Sequence, residues 1–280
     1  MRRGRDLDPV TPPRVAVIVS TYNRPQALRL VLAGLDEQHY RRFEIFVADD
    51  GSDDSTRSVV AAFRARAGIP IHHVWQENRG FRLAAVRNRA AAAAADSDYL
   101  VFLDGDCVVR PDYLLRHARL AERGFYVKGS RVNLSEALTE RLLREDLSIH
   151  LWPARDWFRL WRQGEINRFA PVLRIPLGPL RKLSRPQERG ALGSNFAMWR
   201  SDLLAVNGFN EEFEGYGFED WEIAVRLRRN DVRRKNGRLA ISVLHLWHES
   251  QSIAPQAEQI WERLVRSDAI RAERGVDRHL

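Results

Sequence analysis

Two acidic clusters stand directly after hydrophobic runs, and their spacing suits metal and nucleoside chemistry. Asp104-Gly105-Asp106 follows Tyr99–Leu103 (YLVFL). Two carboxylates one residue apart at a strand end can face one point, which suits a hard divalent cation, Mn²⁺ or Mg²⁺, bridging two phosphate groups. Taken alone, the same trio also reads as a solvated turn. Asp49-Asp50-Gly51-Ser52 follows Phe43–Ala48 (FEIFVA). An acid there can accept from a ring N–H of a base or from ribose hydroxyls. The same residues suit an Asx turn, and both readings hold together if Asp50 faces a ligand while Asp53 or Ser55 caps the next helix.

Such tips need a frame of strands behind them. Arg14–Ser20 (RVAVIVS) is a continuous β-branched run, the pattern of a strand buried on both faces of a parallel sheet. Pro25 at a helix start, with Leu28, Val31, Leu32 and Leu35 at helical spacing, completes a strand–loop–helix unit. Phe43–Ala48 with a helix from Asp54 to Ala67, then Ile71–Trp75 with an Ala-rich helix over Leu83–Ala95, repeat it before Tyr99–Leu103. Four strands alternating with helices predict an α/β, doubly wound, mostly parallel sheet with helices on both faces and ligands beyond the carboxyl ends of the strands.

Further along, the pattern predicts a strand at Phe125–Gly129, an amphipathic helix around Ser135–Ile149 and a strand at Phe196–Arg200. Helices over Ser201–Asn207 and Asp220–Arg229, a strand at Ile241–Leu246 and a charged helix from Pro255 follow. The Trp- and Arg-rich stretch 152–190 is broken by Pro171, Pro176, Pro179 and Pro186 and reads as an insertion or lid.

In order, VAVIVSTYNRP, FVADDGSDDST, ENRGFRLAAVRNRA and YLVFLDGDCVVRPDYL resemble the motifs of family-2 glycosyltransferases with a GT-A fold. The resemblance implies that Ser20, Tyr22, Asp50 and Arg82 line the nucleotide base and Asp104 the ribose. Asn23 and Arg24 join that nucleotide-sugar set, and Asp106 ligates the metal that holds the diphosphate. GSNFAMWRSDLLAVNGFNEEFEGYGFEDWEIAVRLRR resembles the acceptor-side motif of a galactosyltransferase-like C-terminal region. Glu219-Asp220 then starts a helix, where a carboxylate beside a bound sugar can take the proton from an attacking hydroxyl. Asp220 is the first choice for that base, and Trp199, Glu219 and Glu222 are assigned to the acceptor. Without the other motifs these acids read as an ordinary helix first turn, and Trp221 stands where relatives often have another acid.

In Leu244-His245-Leu246-Trp247-His248-Glu249, a histidine at a late strand end can complete a metal shell. Alternation along a strand turns the two histidines to opposite faces, so at most one ligand is expected. The resemblance favours His245, with His248 the second candidate should the strand end earlier. The division that follows is a leader 1–13, a nucleotide-sugar-binding half 14–110, an acceptor-binding and catalytic half 111–254, and a C-terminal helix 255–280.

Composition sets the outer bounds. Forty-five Lys+Arg against 37 Asp+Glu give a formal charge of +8, which suits an acidic partner without choosing among a nucleotide diphosphate, an anionic membrane and nucleic acid. The single cysteine, Cys107, excludes an intramolecular disulfide framework and fits a reducing compartment. No run reaches the roughly 18 apolar residues of a membrane span, so a cytoplasmic location, or one peripheral to the inner face of a membrane, is expected. Trp157, Phe158 and Trp161 among Arg155, Arg159 and Arg162 suit either an interfacial face on anionic lipid or packing under a lid with solvated arginines.

Together these readings predict single displacement with inversion, from a nucleoside-diphosphate sugar, UDP foremost, to a saccharide or lipid-linked saccharide, with no nucleic-acid partner. A nucleotidyltransferase is the rival enzyme, weakened by the lack of a Gly-rich, Lys-bearing phosphate loop near the first strand. A basic nucleic-acid or membrane-binding module without catalysis is the rival outside enzymes.

Overall fold

The structure is a computed structural model and describes residues 12–183 and 193–280. Most of the leader and the end of the expected lid, residues 184–190, therefore lie outside the described residues. The chain opens with β1 (Val15–Thr21), α1 (Pro25–Asp36), β2 (Phe43–Asp49), α2 (Asp54–Arg66), β3 (Ile71–Trp75), α3 (Leu83–Ala93) and β4 (Tyr99–Asp104). It continues through β5 (Cys107–Val108), α4 (Tyr113–Leu120), β6 (Phe125–Lys128), β7 (Ser130–Asn133), α5 (Glu136–Glu145) and α6 (Ala154–Arg162). Past the undescribed stretch come β8 (Asn195–Trp199), α7 (Arg200–Ala205), α8 (Glu219–Arg229), β9 (Arg233–Asn236), β10 (Ser242–His245) and α9 (Pro255–Arg266).

A seven-stranded sheet has the order β3-β2-β1-β4-β8-β6-β9, and a three-stranded sheet has the order β5-β10-β7. β1 to β4 are mutually parallel, while β8 runs antiparallel to β4 and β6. Alternation along the strands feeds two cores. Val15, Val17 and Val19 pack with Leu28, Val60, Leu138 and Trp157 on one face. Ala16 and Ile18 pack with Ala84, Leu203, Ile223 and Leu227 on the other. Each fully buried aliphatic side chain contributes about 1.5–3 kcal/mol relative to leaving it in water, which fixes the register.

That register fixes the site. Thr21 pairs with Asp49 and Ser20 with Asp104, so the ends of β1, β2 and β4 lie side by side. By the same alternation Ser20, Asp50 and Asp104 continue the face of Ile18, Ala48 and Phe102, which is the face α3 covers.

Two helices differ from the sequence reading. The helix expected over 255–280 stops at Arg266, and only a single 3₁₀ turn, Val276–His279, follows. The lid stretch holds α6, which ends before the first of the prolines. Its Trp157 is fully buried, with Nε1 donating to the Trp152 carbonyl at 3.0 Å. Phe158 and Trp161 remain exposed and cluster with Phe169.

Candidate active site

A cavity of about 660 Å³ opens over the carboxyl ends of β1, β2 and β4, and Ser20, Tyr22, Arg24, Asp50, Asp104 and Asp106 all line it. At its β2 end the two adjacent acids have divided their work. Asp49 is fully buried and builds the turn, accepting from the Ser52 N–H at 2.8 Å and bonding His73 Nε2 at 2.8 Å. Asp50 accepts from Gln76 Nε2 at 2.5 Å and from the Arg82 backbone N–H at 2.7 Å. Burial raises its pKa and those two bonds oppose the rise. Asp53 caps α2 by accepting from the Ser55 N–H at 3.0 Å, so the ligand-facing and capping roles fall on different residues.

Two members of the expected nucleotide set do other work. Asn23, at a left-handed φ of 46°, donates its N–H to Ser52 Oγ and accepts from the Asp53 N–H, both at 2.9 Å. It clasps two loops and does not line the cavity. Arg82 also falls outside the lining; its guanidinium folds back onto the Glu77 carbonyl and only its backbone reaches Asp50. Tyr22 is exposed and accepts a hydrogen bond from Asn78 Nδ2 at 2.9 Å.

At the β4 end, Gly105 passes so close to β1 that a Cβ there would lie 2.8 Å from the Ser20 carbonyl oxygen. A side chain would push the two acids away from the strand tips. Asp106 meets Arg24 Nη1 at 2.8 Å, His245 Nε2 at 3.6 Å and His248 Nε2 at 3.4 Å. One ligand atom from each of Asp106, His245 and His248 lies within 4.8 Å of the others. At most one histidine was expected to face the site, yet both rings approach Asp106, because β10 ends at His245, opposite Cys107, and His248 lies beyond the strand where alternation no longer applies. A carboxylate and two imidazoles fit Mn²⁺. Burial lowers His245 to about 4, so its ring is neutral near pH 7, the form that binds metal.

The centre of the site is a residue that sequence reasoning missed. Arg87 of α3 is 1% exposed. Its Nε donates to Ser20 Oγ at 3.1 Å, Nη2 to Asp104 Oδ1 and the Gly193 carbonyl at 3.0 Å each, and Nη1 to Asp220 Oδ1 at 2.8 Å, with Glu219 3.6 Å away. Its signal was an arginine on the buried stripe of an Ala-rich helix, among Ala84, Ala90 and Ala91, where a charge must find acids. Burial pushes Asp104 up to about 6 against the pull of Arg87. Glu219 rises to about 8 through burial and the neighbouring charge of Asp220. Glu219 and Asp220 open α8 behind a left-handed Phe218, and neither lines the cavity; Arg87 and Asp104 connect them to it.

Glu222 and Trp199, expected at the acceptor, both stand apart from the cavity lining. Glu222 is buried and makes a bidentate pair with the buried Arg226 at 2.6 and 2.5 Å, because helical i,i+4 spacing turns it into the core. Trp199 sits opposite Tyr99, at the start of β4 rather than its end, and packs on Tyr99 and Arg123. Since β8 runs antiparallel to β4, its other end, Asn195, is the one beside the site.

Glu219 gives a pH test. A carboxyl raised from 4.5 to about 8 stabilises the fold below pH 4.5 and loses that contribution as pH rises toward 8. The melting temperature of the ligand-free protein should therefore fall between pH 6 and pH 9, and Glu219→Gln, which stays neutral, should flatten the fall. Identical slopes for the two proteins would rule out this assignment.

Sheet order, strand polarity and the placement of the site at the strand tips define a GT-A fold. The structure of mannosyltransferase PcManGT from Pyrobaculum calidifontis in complex with GDP-Man and Mn²⁺ aligns with a TM-score of 0.59 and 21% identity, covering 94% of this chain and 64% of that one. S. aureus TarS 1–349 in complex with UDP aligns at 0.62 with 16% identity, covering 95% and 68%. In sequence, the family model for glycosyl transferase family 2 matches residues 16–186, and the chain belongs to that family. A second model, described as the N-terminal domain of galactosyltransferase, matches residues 183–248. Validoxylamine A glucosyltransferase of Streptomyces hygroscopicus subsp. jinggangensis is 29% identical over 95% of this chain, which spans 61% of that relative's length.

Proposed function

We propose that this chain is an inverting, divalent-metal-dependent glycosyltransferase. It moves a hexose-type sugar from a nucleoside diphosphate, UDP foremost, to a hydroxyl of a saccharide acceptor, a bacterial surface glycan such as lipopolysaccharide core or capsule. The observation that carries this reading is the meeting of Asp106, His245 and His248 in the wall of the cavity that Asp50 also lines. Relatives support its parts: one is named a glucosyltransferase, and solved structures of similar fold hold GDP-Man with Mn²⁺ or UDP.

In this reading Asp50 accepts from the base, preset by Gln76, and Ser20 and Asp104 meet the ribose side of the donor. Asp106, His245 and His248 hold Mn²⁺ or Mg²⁺, which supplies Lewis-acid stabilisation to a diphosphate. Asp220 is the base. It is 17% exposed against 7% for Glu219, and Arg87 orients one of its oxygens while the other is left to accept a proton. Glu219, protonated near pH 7, holds an acceptor hydroxyl by donating to it.

Among the described residues no helix is long and apolar enough to cross a membrane. Phe158 and Trp161 of α6, each 44% exposed and set among Arg155, Arg159 and Arg162, support peripheral contact with anionic lipid.

A panel of nucleotide sugars, with and without Mn²⁺, tests the reading by melting temperature. A donor at 100 times its Kd stabilises the native state by about 2.7 kcal/mol, and the shift should require metal. Failure of every nucleotide sugar, together with salt-sensitive nucleic-acid binding, would favour a non-catalytic module. Asp220→Asn should lower transfer by about 10²–10⁴-fold while the donor-dependent shift persists; a variant that still transfers sugar would exclude Asp220 as the base.

A further inference from the structure

Between the two sheets the chain runs Lys128-Gly129-Ser130-Arg131, from the end of β6 into β7. Val132 is fully buried while Arg131 and Asn133, on either side of it, line the cavity, so alternation aims Arg131 into the site. Asn133 pairs with His245, which places Arg131 one pleat back, about 7 Å, along the strand from the Asp106 and His245 row. Gly129 donates its N–H to the Asn195 carbonyl at 2.9 Å, so this passage borders the segment whose Gly193 is held by Arg87. Lys128 is half-buried, and its charged form is disfavoured by burial and by Arg234, Arg131 and Arg238; Asp220 is the one acid acting on it in the other direction. Among the described residues neither the Lys128 ammonium nor the Arg131 guanidinium makes a hydrogen bond or a salt bridge; the bonds these residues make are those of the backbone, such as Gly237 N–H to the Lys128 carbonyl at 2.7 Å. Asp220 and Asp104 act on these cations only at a distance, and two cations held beside a site with no carboxylate in direct contact await an anion on a ligand.

Resting on the transferase reading above, we propose that Lys128 and Arg131 form a subsite for an anionic group, a carboxylate or a phosphate, carried by the acceptor saccharide. The acceptor is favoured over the donor because Lys128 does not line the nucleotide cavity and lies within the field of Asp220, the acceptor-side base. Asp106 and its two histidines already serve the donor diphosphate. The enzyme would then extend acidic glycans in preference to neutral ones.

The test is equilibrium binding, in the presence of UDP and Mn²⁺, of a glucuronate-bearing oligosaccharide and of the same oligosaccharide with its carboxyls reduced to alcohols. A phosphorylated oligosaccharide and its dephosphorylated form make the second arm, separating the two anions. In at least one arm the charged member should bind about tenfold tighter, with the preference shrinking at high salt. Lys128→Gln and Arg131→Gln should each remove most of it, and Lys128→Gln should leave the UDP-dependent melting shift unchanged. Equal affinity within both pairs, including no measurable binding of any, overturns the proposal. So does loss of the UDP shift in both variants with saccharide binding intact, which would assign the cations to the diphosphate. If no nucleotide stabilises the unmodified protein, the transferase reading itself falls.

Discussion

Asp106→Ala should abolish metal-dependent sugar transfer, with turnover falling by about 10³-fold, the scale of losing a group that stabilises transition-state charge. Asp106 is the one acid of the trio it forms with His245 and His248, and with neighbouring Asp104 tied to Arg87, removing the Asp106 carboxylate takes the anionic ligand from that trio. The fold should survive, since Asp106 lies outside β4 and its side chain is partly open to solvent. The decisive readout is therefore Mn²⁺-dependent stabilisation by UDP, present in the unmodified protein and absent in the variant at equal starting melting temperature. Asp106→Asn should behave alike, because it keeps the shape and loses the charge. Retention of a Mn²⁺-dependent shift in both variants would remove Asp106 from the metal site.

Much of this frame was legible in the residues. β1, β2 and β4 are continuous hydrophobic runs buried on both faces, a pattern with few other readings, and the acids beyond them fell where strand tips must place ligands. The misses share one cause, since each depended on a partner far away in sequence. Trp199 was misplaced because strand direction is a property of the sheet; an antiparallel β8 brings Asn195, not Trp199, to the tips. His248 approaches Asp106 because β10 stops at His245, one residue short of the expected end. Glu222 looked like a site acid until Arg226 claimed it one helical turn on. Arg87 hid within an Ala-rich helix, and only the folded chain reveals that three carboxylates from two distant segments converge on it.

Arg87→Met should be the most destabilising of these substitutions, at about 3–5 kcal/mol, the cost of breaking a buried ion pair by removing one partner. Methionine fills much of the same volume, so the loss is chiefly electrostatic. Asp104, Glu219 and Asp220 would be left together without their cation, and the first two already sit above the ordinary carboxyl range with Arg87 present. Removing Arg87 raises them further. Carboxyls with raised folded pKa values stabilise at low pH and lose that contribution as pH climbs through those values. The penalty should therefore be smaller at pH 5, where Asp104 and Glu219 take up protons, than at pH 8, where they must ionise or hold them at a cost. Urea denaturation at the two pH values measures this directly, and an equal penalty at both would reduce Arg87 to a packing residue. Arg87→Lys separates charge from geometry. It restores one positive charge but not the fork that reaches Ser20, Asp104, Gly193 and Asp220 at once, so it should recover much of the stability and little of the transfer. That split, stability without turnover, is what a residue aligning donor-side and acceptor-side acids must produce, and a residue that merely fills the core cannot.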